Sequence, residues 1–264
     1  MASYTAKDVS ALRQMTGAGI LDCRNALEET GGDLEEAAKL LREKGLAGAA
    51  KRSDREASEG AVAVARSGEA AAVVELRCET DFVAKADEFV ALADELAALV
   101  AAKGEDAVEE RRDDVERLTQ TLKENISVGR VRRLVAGSGQ VLDTYLHQQA
   151  GRGVNAVALV IEGGSDELAH DIAVHIAFTK PAYLSRDEVP EADVAAERET
   201  LTTISRNEGK PEAAMEKIVE GRMTGWFKER VLLDQSYVRD EKQTIAGMLG
   251  SARIVSFAQV VIGA

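Results

Sequence analysis

A chain of 264 residues, 45% of them apolar, is long enough for one large domain or two to three small ones and has ample material for a core. Its 33 basic residues against 46 acidic ones leave a formal charge of −13 at pH 7, a surface that opposes non-specific binding to phosphate backbones, so direct contact with nucleic acid is not expected. The opening stretch MASYTAKDVSALRQ lacks the charged and apolar regions of a secretory leader, and no window approaches ~18 uninterrupted apolar residues, so a cytoplasmic protein without a membrane span is expected.

Residues 1–50 carry the pattern of a three-helix module. Thr5 or Ser3 stands near the first cap, Val9, Leu12 and Met15 share a face, and Gly17 stops the helix. The next helix repeats this with Ile20, Cys23 and Leu27 before Gly31-Gly32. The third has Asp33 as N-cap, Glu36 at the capping-box position, Leu34, Ala37, Leu40 and Leu41 inward, and Gly45 as the expected C-cap. Residues 46–59, LAGAAKRSDREASE, are small, polar and charged. They read as a linker with some helical character, and the division into domains places the linker at 51–59.

From Gly60 the apolar period changes to two. GAVAVARSGEAAAVVELRC predicts a β-hairpin turning at Ser67-Gly68-Glu69. Long amphipathic helices are expected over about 84–103 and 105–124, split at Gly104. A second β-rich block follows in ISVGRVRRLVAG, QVLDTYLHQQ and VNAVALVIEGG, with glycine-bearing turns at 137–139 and 151–153. The three alternating arginines of GRVRRL read as the wet face of a strand. Then SDELAHDIAVHIAFTK predicts a helix with Leu168, Ile172, Ile176 and either Val174 or His175 on its apolar side. Hairpin followed by helix thus occurs twice, which suggests two similar half-domains. Residues 187–231 predict an antiparallel helical hairpin turning at NEGKP, with Val194, Leu201 and Ile204 facing Met215, Ile218 or Val219, Met223, and Trp226 or Phe227. A short helix, QTIAGMLG, and a final strand, ARIVSFAQVVIG, complete the chain; the strand is expected in the second sheet.

Catalytic constellations are scarce. The histidines are His147, His170 and His175, and the spacing of five in HDIAVH does not suit a helical metal pair. The glycine clusters complete neither a dinucleotide fingerprint nor a phosphate loop. The two cysteines, Cys23 and Cys78, have no metal-ligand spacing and fit reduced thiols. No catalytic residue, metal site or cofactor is expected.

One residue is out of place. In CETDFVAKADEF, Phe82 sits where a strand gives way to a helix. It can serve as a hydrophobic staple packed on Ala86. It can also be an exposed wedge, held on a turn that Thr80 or Asp81 caps, with Asp81 placed to accept hydrogen bonds from a partner.

Four segments carry a resemblance: TGAGILDCRNALEETGGDLEEAAKLLREKG, CETDFVAK, HIAFTKPAYL and NEGKPEAAMEKIVEGRM. On them the chain resembles the bacterial elongation factor Ts family over essentially its full length. The resemblance implies a nucleotide exchange factor, not an enzyme, that binds elongation factor Tu, a translational GTPase, and accelerates its release of GDP. It implies an α+β architecture: a ubiquitin-associated-type helical module over 1–50 and a linker over 51–59. The first half of the core spans 60–128 and the second spans 129–186 and 232–264, with a coiled-coil-like hairpin inserted over 187–231. By the same resemblance, Thr80, Asp81, Phe82 and Val83 dislocate the Mg²⁺ of the GTPase. Ile20 and Leu21 would meet its nucleotide domain, and His147 another of its domains. The hairpin can serve a homodimer. Some members carry a further helix after the last strand, and no contact from such a helix is expected here. Ile20-Leu21 replaces methionines found in some members and keeps that surface apolar.

Overall fold

The computed structural model describes residues 4–50, 52 and 54–263. Helices α1 (Ala6–Thr16), α2 (Ile20–Glu29) and α3 (Leu34–Ala50) close around Leu12, Cys23, Ala26, Leu27 and Ala37. Thr5 and Asp8 form a reciprocal capping box on α1. Ser3, the other cap considered, lies outside the described residues. Asp33 caps α3 by accepting from the N–H groups of Glu35 and Glu36, both at 2.9 Å. Met15 and Ile20, expected on inner faces, are exposed. Gly45 does not end α3, which continues to Ala50. Its value is closeness instead: a Cβ at Gly45 would stand 2.7 Å from the Gln120 amide oxygen of the neighbouring helix.

Strands β1 (Glu59–Ser67), β2 (Ala70–Cys78) and β3 (Ser127–Val135) form one antiparallel sheet, and β4 (Gln140–Gln149), β5 (Arg152–Glu162) and β8 (Arg253–Val261) another. The sheets pack face to face over Val62, Val73, Leu142, Ala158, Val160 and Val260. Helices α5 (Asp87–Lys103) and α6 (Arg112–Leu122) cover the outer face of the first sheet. Helices α7 (Asp166–Thr179) and α10 (Ile245–Leu249) cover that of the second. The result is four layers, helix, sheet, sheet, helix. At Gly153 an added Cβ would fall 2.0 Å from the Val62 carbonyl oxygen, so only glycine lets the two sheets approach there.

Some expectations are corrected. β3 pairs with β2, Val74 opposite Val131, so the boundary expected between 128 and 129 does not separate the sheets. The helix expected from 84 is two: α4 (Asp81–Ala84) and α5, which restarts after the extended Ala86. The segment 105–124 opens as a 3-10 turn before becoming α6. The Arg130 of GRVRRL is no wet-face residue. It reaches Glu75, which is 1% exposed, through both carboxylate oxygens.

Helices α8 (Glu191–Asn207) and α9 (Met215–Arg230) make the hairpin, closed over Val189, Met215, Val219, Met223, Phe227 and Val231. Val194 and Leu201 pack on that cluster. Ile204, expected with them, is exposed. A small ribbon, β6 (Ser236–Tyr237) and β7 (Asp240–Thr244), follows. Among the described residues no helix is long and apolar enough to cross a membrane.

Candidate partner-binding site

The strand β2 is buried almost throughout, and it ends at Cys78. Thr80 is extended (φ −125°, ψ 153°) and is the N-cap of α4. Its hydroxyl accepts the Val83 N–H at 3.4 Å, and its carbonyl accepts the Ala84 N–H at 3.2 Å. A single helical turn then sorts its side chains. Val83 and Ala86 pack against the core that holds Phe89, and Ala84 is buried. Phe82 points the other way and is 83% exposed. The staple packing on Ala86 therefore does not form.

Asp81 is not wholly free. Lys85, one turn on, donates to its Oδ2 at 2.6 Å and holds the carboxyl below its usual range. Cys78 lies beneath the turn and donates its thiol proton to the Thr80 carbonyl at 3.2 Å. Burial above all pushes this thiol up to about 12, so it is no nucleophile at neutral pH.

On the helical module, Gly17 takes a left-handed turn (φ 67°) and α2 begins after Gly19. Ile20 and Leu21 open α2 with 61% and 64% exposure, and Met15 across the turn is similarly exposed. Three large apolar side chains thus flank one glycine-bearing loop, an arrangement a lone monomer gains nothing from.

His147 is exposed near the end of β4 and pairs with Asn155 of β5. The Asn155 amide donates to the Ala177 carbonyl at 2.7 Å, which ties the last turn of α7 to this end of the sheet. That turn carries Phe178, 76% exposed. The sequence reading passed over Phe178. Its signal is the phase of α7, in which Ile172 and Ile176 face the core and Phe178 falls off that face.

The His147 end of the second sheet lies beside the root of the Phe82 turn. Arg152, at the tip of the β4–β5 hairpin, donates to the Gly60 carbonyl at 2.7 Å and to Glu59 at 2.8 Å. Glu59 and Gly60 in turn pair with Cys78 and Arg77, at the root of the Phe82 turn. Among the described residues no group of three or more His, Cys, Asp or Glu is placed to hold a metal. The arrangement is a set of projecting apolar side chains on rigid elements, suited to protein contact.

A family described as elongation factor TS matches residues 79–264. The chain is 45% identical to elongation factor Ts of Clavibacter michiganensis subsp. michiganensis over 278 residues, covering 100% of both chains. It is 43% identical to that of Kineococcus radiotolerans over 281 residues and 43% identical to that of Micrococcus luteus over 277 residues, again covering 100% of each.

Proposed function

The chain belongs to the elongation factor Ts family, and from that premise we propose that it is a guanine nucleotide exchange factor that binds elongation factor Tu in its GDP form and promotes GDP release. The observation that carries this reading is the Phe82 ring, exposed and projected from a capped turn.

The mechanism follows from the partner's metal. Mg²⁺ requires near-ideal octahedral geometry at about 2.0–2.1 Å, so small displacements of its ligands are costly. Thr80, Asp81, Phe82 and Val83 form the element that dislocates it. Phe82 inserts between side chains of the GTPase, Thr80 holds the turn, Val83 anchors it to the core, and Asp81 presents its carboxylate to the partner. The phosphate site then loses its electrostatic counterpart, and GDP leaves. The factor itself makes no bond to the nucleotide.

Exchange without chemistry rests on linkage. A factor that binds the empty GTPase more tightly than the loaded one weakens GDP binding by the same ratio. A ratio of 10⁴ corresponds to about 5.5 kcal/mol of differential binding. Burying one phenylalanine contributes about 1.5–3 kcal/mol. Further contacts are therefore required. Ile20 and Leu21 supply one set toward the nucleotide domain, and His147 with Phe178 another toward a different domain. The hairpin α8–α9, with Ile204 exposed, is the candidate contact with a second copy. No contact with nucleic acid or membrane is part of the reading, in keeping with a formal charge of −13.

Stopped-flow release of fluorescent GDP from elongation factor Tu tests it. Substoichiometric factor should accelerate release catalytically, and a release rate independent of added factor would refute the reading.

A further inference from the structure

Phe82 touches little of its own chain, so its direction is set entirely by the backbone of its turn. What holds that backbone comes from elsewhere in the sequence. Helix α6 is closed by its C-cap Lys123, which takes the left-handed conformation (φ 59°, ψ 30°), a sparsely populated one for a residue with a side chain. The turn makes three consecutive side chains diverge.

Lys123 donates to the Asp22 Oδ2 of α2 at 2.9 Å, on the helix that opens with Ile20 and Leu21. Glu124 goes to the other surface. Its Oε2 accepts the N–H groups of Glu79 and Thr80, both at 3.0 Å, and its Oε1 accepts the Thr80 hydroxyl at 2.5 Å. With its proton committed to Glu124, the Thr80 hydroxyl presents a lone pair to the Val83 N–H, which is the cap of α4. Asn125 completes the set. Its backbone N–H donates to Glu79 Oε1 at 2.7 Å, and its amide donates to the Arg55 carbonyl at 2.7 Å.

We propose that the turn Lys123–Asn125 is a positioning brace, with Glu124 as its central residue, that fixes the direction of Phe82 relative to the Ile20-Leu21 surface. The proposal rests on the exchange reading above and deepens it. Lys123 and Asp22 are both well exposed, so their ion pair contributes little by itself. Glu124 differs: one carboxylate gathers three donors on a part-buried loop, and charge-assisted bonds of that kind are the strong ones. Without it, the Phe82 turn keeps its fold but samples several directions, and a wedge that must be ordered on binding loses its pre-organisation.

The test uses the full-length chain with Glu124→Ala, Glu124→Gln and Phe82→Ala, alone and combined. In GDP release from elongation factor Tu titrated with factor, Glu124→Ala is expected to lower the maximal rate about tenfold, with the half-saturating concentration changed by less than about threefold. Glu124→Gln should restore most of the rate, because its amide oxygen still accepts the two N–H groups and its NH2 can donate to Thr80. In the Phe82→Ala background Glu124→Ala should add less than about twofold, since a residue acting only through Phe82 has nothing left to position. Equal slowing in both backgrounds marks a merely structural role and overturns the brace, as does a wild-type rate for Glu124→Ala. Amide hydrogen exchange reads the same point without the partner: residues 79–83 should exchange faster in Glu124→Ala while α5 and β2 stay protected, and unchanged exchange also overturns it. Should Glu124→Ala not fold, Glu124→Asp replaces it in every arm, keeping the charge while falling one methylene short. A wild-type chain that fails to accelerate release would sink the exchange reading instead, so the two failures are distinct.

Discussion

Phe82 and Phe89 stand on consecutive helices with opposite surroundings: the first ring is 83% exposed and the second is wholly enclosed by the core. The difference predicts a clean separation of function from stability. Phe82→Ala should slow GDP release from elongation factor Tu by more than about tenfold, while the exposed site leaves stability within about 0.5 kcal/mol. Phe89→Ala opens a core cavity and should cost about 3–5 kcal/mol. Release kinetics and thermal denaturation on the same preparations decide it. A Phe82→Ala chain with unaltered kinetics would remove the wedge from the mechanism.

Ile20 and Leu21 make a second, different prediction. Both are exposed in the free chain, so Ile20→Ala with Leu21→Ala should leave the melting temperature nearly unchanged. If they are buried on the GTPase, the pair should raise the half-saturating factor concentration at least about tenfold. The maximal release rate should change far less, because the binding they supply is not aimed at the metal. A titration of the release rate separates the two parameters, and a reduced maximal rate at unchanged half-saturation would reassign these residues to the displacement step.

Much of this site was legible in the sequence, and the reasons are local. Alternating apolar residues marked β1 and β2, Gly68 marked their turn, and Thr80 marked a cap. Phe82 itself was visible but ambiguous, because a staple and a wedge share the same spacing from the cap. The structure removes the staple by giving the inward positions to Val83 and Ala86 and leaving Phe82 exposed. What stayed hidden depends on distant pairing. No local pattern says that Gly45 lets one helix lie against another, that β3 joins the first sheet, or that Glu124 reaches back to Thr80. Charged residues at such places look like any solvated face until the chain returns to them.

His175 predicts an acid-sensitive anchor for the β6–β7 ribbon. It is fully buried on α7, where Nε2 donates to Gln235 Oε1 at 2.9 Å and Nδ1 accepts the Val238 N–H at 3.4 Å. Burial lowers its pKa below 6.5, with the Gln235 bond acting weakly in the other direction. The unfolded chain therefore binds the proton more readily than the native one. Stability is at its full value above pH 6.5 and falls as the pH drops below it. The slope contributed by one such group is at most about 1.4 kcal/mol per pH unit. In His175→Asn the melting temperature should be lower overall but flatter between about pH 6.5 and 5. An equally steep fall in the variant would assign the acid sensitivity elsewhere.

Glu75 carries the last prediction, one about the joint between the sheets. Its carboxylate accepts from Arg130 through the backbone N–H at 2.9 Å, Nε at 3.0 Å and Nη2 at 3.0 Å, and from Arg77 at 2.9 Å. Arg130 continues to the Val261 carbonyl of the opposite sheet. Burial by itself raises the Glu75 pKa, but the hydrogen bonds from Arg130 and Arg77 outweigh it and hold the carboxyl below 4.5. The pair thus stabilises the fold fully above pH 4.5 and less as the pH falls through the depressed pKa. Glu75→Gln turns one acceptor into a donor facing donors and strands two cations, and should cost about 3 kcal/mol. That corresponds to roughly 6–12 °C in melting temperature for a chain of this size. Replacing Glu75 and Arg130 together by methionine should cost less than Glu75→Gln alone, since only Arg77 then loses its partner, and its side chain, 40% exposed, can turn to water. A double variant less stable than the single one would show that the ion pair itself, rather than the penalty for breaking it, stabilises this part of the fold.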